Sequence, residues 1–254
     1  MHKSQQTYNA FIEDFNKKSE EEKAKCGNDT TYQQIAKQSY DYIMKSVALF
    51  EFANDHINLV ICNLNLGRFY RLSAHINIFH EFKVGKSLKM QKKFYQQSFD
   101  SYRKALDILV EKKMKGIDLY EIVLWEYSTA VFNLAREMQD GISVEHSKED
   151  AEREVLDMLM KALQLCDLDT HNSSRQVLYI FRAGLIHQKI ASLHHQSLRM
   201  LSDEYKRKSF LQLSRLHYEK SAKLLESLKE HKEFLKVQME RIALQEFLAE
   251  EASS

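Results

Sequence analysis

Apolar residues recur along this chain at intervals of three and four positions. This period is typical of amphipathic α-helices, and no stretch shows the sustained apolar–polar alternation of a β-strand. The pattern therefore predicts an all-α protein of about nine helices. We expect them at about 7–25, 31–54, 56–80, 88–114, 118–139, 147–166, 173–200, 203–229 and 231–250.

Proline and glycine contents support long helices joined by short links. The 254 residues include no proline and 6 glycines, and proline is a residue that breaks helices but is common in turns. Gly67 and Gly184 fall inside helical patterns, where glycine costs up to about 1 kcal/mol relative to alanine. We therefore expect a neighbouring helix to approach closely at both. The other glycines lie in polar links: Gly27, Gly85, Gly116 and Gly141.

Four predicted helices share one internal pattern, in which a bulky residue is followed three positions later by a small one. The clearest copy is Ser98-x3-Tyr102-x2-Ala105. The small positions recur at intervals of 59, 57 and 59 residues, and a near-constant period predicts a stack of similar units. They are Ser46, Ala105, Ala162 and Ser221.

Two segments, one in a helix of this set and one in the helix before it, resemble the tetratricopeptide repeat pattern. They are Leu66-Gly67-x2-Tyr70 and the Ser98 to Ala105 segment above. The resemblance implies a right-handed α-solenoid of helical hairpins. The family repeat has about 34 residues, so the longer period here requires lengthened helices or insertions, for which the interval 81–97 is a candidate.

This pattern predicts one continuous repeat domain over 31–254, which ends in a helix at about 231–250. Residues 1–30 are expected to form a separate N-terminal helix or cap. Its apolar positions have helical spacing, so the segment could cap the stack or occupy its groove. They are Tyr8, Phe11, Ile12 and Phe15.

A closer resemblance covers about 31–250. Two segments that carry it are Phe52-Ala53-Asn54-Asp55 and Cys62-Asn63-Leu64-x2-Gly67-Arg68, and others are Tyr179-x2-Arg182-Ala183, Leu216-His217-Tyr218 and Val237-Gln238-Met239-Glu240-Arg241. They resemble the C-terminal region of the erythroid differentiation-related factor family. That resemblance implies a nuclear protein linked to transcriptional regulation of erythroid genes, of which this chain is one part.

Charge and cysteine usage narrow the classes of function. The 37 Lys and Arg residues balance 36 Asp and Glu residues, which does not favour binding of nucleic acid or anionic membranes by the chain as a whole. No run of 18 apolar residues and no apolar signal core is present. Three widely spaced cysteines fit reduced thiols. We expect a soluble protein that is not secreted, nuclear by resemblance and otherwise cytoplasmic.

Candidate catalytic and metal-binding patterns are incomplete. Val84-Gly85-Lys86-Ser87 resembles the end of a phosphate-binding loop, but His80 takes the place of the required glycine. Among eleven histidines, His187 and His194 share a helix face. They lie about 10.5 Å apart along the axis, too far for one ion. Cys62 is interpreted as a small buried residue. The sequence predicts no enzyme, no cofactor and no metal site.

A stack of helical hairpins offers a concave face lined by the first helix of each pair. The residues predicted to face this groove are Leu64, Arg68, Arg71, Tyr127, Val131, Phe181 and Leu185. They predict an apolar groove with a basic corner, suited to an apolar or amphipathic segment of another protein. In the alternative interpretation, the apolar members pack internally and the arginines are ordinary surface charges.

The predicted function is therefore a non-catalytic scaffold for protein–protein interaction, within a nuclear complex if the closer resemblance holds. One alternative is a helical-repeat protein that binds RNA or DNA, which requires a continuous basic stripe along the first helices. Another is an enzyme with a histidine-lined pocket, which requires histidines and carboxylates that converge.

Overall fold

The computed structural model describes residues 29–80, 84–114, 118–140, 148–166 and 175–252. These residues form eight helices and no strand, which confirms the all-α prediction. The helix predicted at 7–25 lies outside the described residues. The helices are α1 (Asp29–Phe52), α2 (His56–His80), α3 (Val84–Glu111), α4 (Asp118–Asp140), α5 (Lys148–Gln164), α6 (Gln176–Leu198), α7 (Glu204–Ser227) and α8 (His231–Ala252).

The predicted lengthening of the helices is confirmed. Seven of the eight have between 22 and 28 residues, and α5 has 17. The largest difference from a predicted helix start is at α3, which begins at Val84 rather than at about 88. Gly85 therefore lies in the first turn of a helix, and most of the suspected insertion at 81–97 is helical.

Three helices end in the same tight turn, which explains how short links suffice without proline. Asn54, Lys113 and Lys229 follow α1, α3 and α7 with left-handed backbone φ angles of 55°, 58° and 58°. The next residue then donates its N–H to a carbonyl five positions back, as Asp55 does to Phe50 at 3.0 Å. This arrangement satisfies carbonyls that a helix end leaves free.

The repeated pattern marks the buried contacts of each helix. Ser98, Tyr102 and Ala105 in α3 are fully buried. The corresponding positions of the other helices are also buried, except Ser46, which is partly buried. They are Ser39 and Ile43 in α1, Val155, Leu159 and Ala162 in α5, and Ser214, Tyr218 and Ser221 in α7.

Both glycines inside helices lie where a second helix approaches, as predicted. A Cβ added at Gly67 in α2 would lie 2.5 Å from Cε1 of Tyr102 in α3. One added at Gly184 in α6 would lie 3.0 Å from Cδ2 of Leu225 in α7. Serine hydroxyls of the approaching helices donate to the glycine carbonyls: Ser98 to Gly67 at 2.8 Å and Ser221 to Gly184 at 2.7 Å.

The middle helices make a similar contact without glycine. In α4, Ser128 donates its hydroxyl to the carbonyl of Ala162 in α5 at 3.1 Å. Ala130 is fully buried beside it. Here the serine belongs to the first helix and the carbonyl to the second, the reverse of the arrangement at Gly67 and Gly184.

The described residues form two compact units, and the division falls inside α4. The first unit extends to Glu126 and the second begins at Tyr127. Since contacts in repeat proteins are mostly between neighbouring helices, such a division is compatible with a repeat architecture. The arrangement of a cap over 1–30 and one continuous domain over 31–254 stays a prediction.

Candidate partner-binding face

Arg68 and Arg71 of α2 share one carboxylate, that of Glu126 in α4. The Nε of Arg68 donates to Oε1 of Glu126 at 2.9 Å, and Nη2 of Arg71 donates to Oε2 at 2.8 Å. The side chains of Arg68, Arg71 and Glu126 are 30%, 17% and 13% exposed. The predicted basic corner is therefore a fixed cluster of three charges, which leaves one net positive charge.

The environment keeps Arg71 charged. Burial disfavours the charge on Arg71, but attraction to Tyr102 and Glu126 raises the pKa of Arg71 above its usual value. Burial also raises the pKa of Tyr102 to about 12, and Arg71 opposes that shift only in part. At neutral pH, Tyr102 is therefore a neutral phenol beside a charged guanidinium.

Three of the seven predicted groove residues lie in the protein core. Leu64, Tyr127 and Val131 are 3%, 3% and 0% exposed, so they present no free surface, and their burial favours the packing interpretation. Phe181 and Leu185 in α6 are partly buried. Contact of a partner with any of the seven stays a prediction. Core-facing and groove-facing positions recur at the same helical spacing, so sequence periodicity does not separate them.

In the second unit, the first helices of successive pairs also contact one another. Gln188 of α6 donates its amide to Glu240 of α8 at 2.7 Å. The guanidinium of Arg182 in α6 lies 5.2 Å from the ring centroid of Phe132 in α4. Glu126 and Glu240 are not among the site residues that the sequence predicts. An ion-pair partner in the next repeat leaves no pattern in the neighbouring sequence, since Arg68 and Glu126 are 58 positions apart.

A cavity of about 530 Å³ opens among α5, α6 and α7 in the second unit. Apolar side chains, including Leu156, Leu193 and Phe210, form much of its lining, and charged residues are also present. Glu152 is held there by the hydroxyl of Ser197 at 2.8 Å. Because its lining residues come from three helices, no local sequence pattern predicts this cavity.

A cluster of histidines joins α6 to α7. His217 of α7 lies with its Nδ1 2.9 Å from Nδ1 of His187, and its ring centroid lies 6.2 Å from that of His194. Burial lowers the pKa of His187 and of His217 to about 4, and Lys220 contributes to both shifts. The structure thus places a third histidine near the pair whose spacing was considered too wide for one metal ion.

Among the described residues, no group of three or more His, Cys, Asp or Glu side chains is placed to hold a metal ion. Cys62 is fully buried, which confirms its interpretation as a small buried residue. Burial raises the pKa of its thiol to about 11. Cys26 lies outside the described residues. No helix in the described part of the chain is long and apolar enough to cross a membrane.

Glu126→Gln is expected to lower the free energy of unfolding of the first unit by about 1–2 kcal/mol. The amide cannot neutralise two guanidiniums, and hydrogen bonds to charged groups contribute about 1.5–3 kcal/mol, reduced here by partial exposure. Urea unfolding followed by Trp125 fluorescence measures the change. The matched control, Glu111→Gln, removes a carboxylate that is 72% exposed. Equal losses in both variants would contradict the structural role of Glu126.

Paired helices that meet at recurrent small residues define a helical-repeat protein of the tetratricopeptide class. A family model described as "Erythroid differentiation-related factor 1-like, TPR repeats" matches residues 11–254. The chain belongs to this family, which confirms the resemblance found in the sequence.

The curated relatives are several times longer than this chain. Erythroid differentiation-related factor 1 of Mus musculus is 37% identical over 220 residues, and that of Homo sapiens is 36% identical over 224 residues. Each alignment covers 85% of this chain but 18% of the relative. The chain therefore spans about a fifth of their length. No solved structure matches it.

Proposed function

We propose that this chain is a non-catalytic scaffold that binds an apolar or amphipathic segment of another protein. In the first unit, we place the binding face on the first helix α2, at Arg68 and Arg71. By analogy with the name of its relatives, we propose that it acts in a nuclear complex that regulates transcription during erythroid differentiation. Repeat proteins of this class commonly use such extended surfaces for protein–protein interaction.

The main support for this proposal is that the guanidinium of Arg68 is partly exposed and is fixed by a hydrogen bond to Glu126. Its side chain is 30% exposed while Glu126 fixes one edge of it. Arginine is enriched among the residues that dominate binding energy in protein interfaces. A side chain that is already ordered loses less conformational entropy when a partner binds. Arg68 is therefore suited to donate hydrogen bonds to a backbone carbonyl or carboxylate beside an apolar contact.

The charge pattern favours a protein partner over a nucleic acid. Nucleic-acid binding requires a basic stripe whose cations reach phosphates. Here Arg68 and Arg71 pair with Glu126, and Lys189 of α6 lies 3.6 Å from Asp140 of α4. A filter-binding assay over a range of salt concentrations tests the RNA- or DNA-binding alternative, which predicts tight binding that weakens steeply with salt.

Arg68→Gln tests the proposed face, because it removes the charge of Arg68 and leaves the Arg71–Glu126 pair in place. We expect it to reduce capture of protein partners from nuclear extract about tenfold, the effect of losing about 1.4 kcal/mol of binding energy. Quantitative mass spectrometry measures the captured proteins. A photo-crosslinking amino acid at position 68 should label the same proteins directly.

Arg215→Gln is the matched control, because Arg215 is an exposed arginine on α7, a second helix. It should capture the same partners as the wild type. Thermal unfolding of all three proteins establishes that they are folded. If Arg68→Gln captures the same proteins in the same amounts, or if the wild type captures none, the proposed face is wrong.

A further inference from the structure

The last helix carries an apolar stripe on its outer side. Leu235, Met239 and Ile242 of α8 are 59%, 69% and 53% exposed. Their spacing of four and three residues places them on one face. The buried residues Val237 and Leu244 lie on the opposite face, in the core that α8 shares with α6 and α7. Grouped exposure of three large apolar side chains differs from the single scattered apolar residues that are normal on a protein surface.

Opposite charges lie at the two ends of this stripe. Lys232 and Lys236 lie near its N-terminal end, one on each side of Leu235 in the sequence, Glu246 and Glu250 follow it, and all four side chains are exposed. Their positions are symmetric about position 241, since 236 and 246 are each five residues from it and 232 and 250 are each nine residues from it. At 1.5 Å per residue, the paired charges lie about 7.5 Å and about 13.5 Å from that midpoint.

We propose that a second copy of this chain binds the stripe, with the two α8 helices antiparallel about a two-fold axis. In this arrangement, each lysine of one copy lies level with a glutamate of the other. A parallel arrangement would place lysine against lysine and glutamate against glutamate. Contacts of this kind occur twice across a two-fold axis, and charges that flank an apolar seam set helix orientation in coiled coils.

Lys236 can join the pairing while it keeps its contact within α8. Lys236 donates to Glu233 of its own helix at 2.7 Å, and a lysine ammonium has three donors. One face of a single helix offers less than the roughly 800 Å² per partner of a standard interface. The dimer should therefore dissociate in the micromolar range and weaken as salt screens its ion pairs. This inference does not depend on the partner-binding proposal.

Sedimentation velocity of the 254-residue chain, from about 1 to about 200 µM, covers the range of weak dimers. We expect the sedimentation coefficient to rise with concentration from that of a monomer to that of a dimer. Met239→Glu should raise the dissociation constant about 100-fold, because it places two carboxylates in the apolar seam. The control Leu49→Glu, at an apolar residue of α1 that is 66% exposed, should leave the constant unchanged.

Charge reversal tests the antiparallel geometry. Two double variants should each weaken self-association about tenfold, since exposed ion pairs contribute up to about 1 kcal/mol each. One is Lys232→Glu with Lys236→Glu, and the other is Glu246→Lys with Glu250→Lys. A mixture of these two variants should dimerise at least as well as the wild type, because every charge then faces its opposite.

Three results would overturn the proposal. The first is a wild-type chain that stays monomeric over the whole range, which would leave the stripe to another protein or to a further segment of a longer chain. The second is a dimer that persists in Met239→Glu. The third is a mixture of the two charge-reversed variants that associates no better than each alone. Circular dichroism of each variant establishes that it remains helical.

Discussion

Replacement of Gly67 by alanine is expected to lower the free energy of unfolding of the first unit by about 2 kcal/mol. The new Cβ would meet three ring atoms of Tyr102 at 2.5 to 2.8 Å. Tyr102 is fully buried, so its ring cannot move aside without disturbing the core. Overpacking costs about 1–3 kcal/mol, and three contacts this short place the cost near the upper end, about 3 kcal/mol, from which the gain in helix propensity of about 1 kcal/mol is subtracted. Urea unfolding followed by Trp125 fluorescence measures the loss.

Gly184→Ala is the matched control for this prediction. Its Cβ would lie 3.0 Å from Cγ and Cδ2 of Leu225, a longer contact that a shift of a few tenths of an ångström relieves, so we expect a change below about 1 kcal/mol. Hydrogen exchange of α6 and α7 amides measures it. In a Tyr102→Leu background, Gly67→Ala should cost at least about 1 kcal/mol less, because contacting residues are energetically coupled. Equal losses for the two glycine variants would contradict the close approach at Gly67.

Acidification is expected to lower the free energy of unfolding of the second unit by about 3 kcal/mol between neutral pH and about pH 4.5, through His187 and His217. The pKa of each is about 4 in the folded chain and about 6.5 when unfolded. Below pH 6.5, the unfolded chain therefore binds more protons than the folded chain. Stability is complete above that pH and is lost as the pH falls toward 4. One unit of pKa shift corresponds to about 1.36 kcal/mol.

The contact between the two rings gives a second reason for this sensitivity. With Nδ1 atoms 2.9 Å apart, one nitrogen must donate and the other accept. A second proton would place two donors against each other. The expected loss in free energy of unfolding is smaller than the sum for two independent histidines. The two rings interact with each other, and His217 is only partly buried.

A double variant isolates the histidine pair from other groups that titrate in acid. His187→Leu with His217→Leu replaces both partners by apolar side chains, a change that can be nearly neutral at pH 7. Between pH 7 and about pH 4.5, the free energy of unfolding of this double variant should fall by about 3 kcal/mol less than that of the wild type. Hydrogen exchange of α6 and α7 amides reports the stability. The exposed His231→Gln is the control, and the prediction fails if the double variant and the wild type lose equal stability.

Local patterns in the sequence determined the helices of this protein and their class. The 3.6-residue period depends only on which residues face the core, so it located α2 at 56–80, as observed. The repeated small residues and Gly67 also indicated where neighbouring helices approach closely. A glycine inside a helix is costly unless another helix lies against it, and Tyr102 does so here.

The candidate sites depended on contacts between residues far apart in the chain. Periodicity assigned Leu64, Tyr127 and Val131 to a groove, but the structure buries them. It gave no sign that Glu126 would neutralise Arg68, since that contact joins residues 58 positions apart. Such pairings leave no trace in local spacing.

The sequence by itself therefore determined that this chain folds into lengthened helices and stacks them at small residues, because helix period and close approach are encoded within single helices. Only the tertiary structure decided which apolar faces are buried and which remain exposed. On α8, Val237 is buried while Met239, two positions later, is 69% exposed. That difference depends on which neighbouring helix covers each face, and no single helix encodes its neighbours.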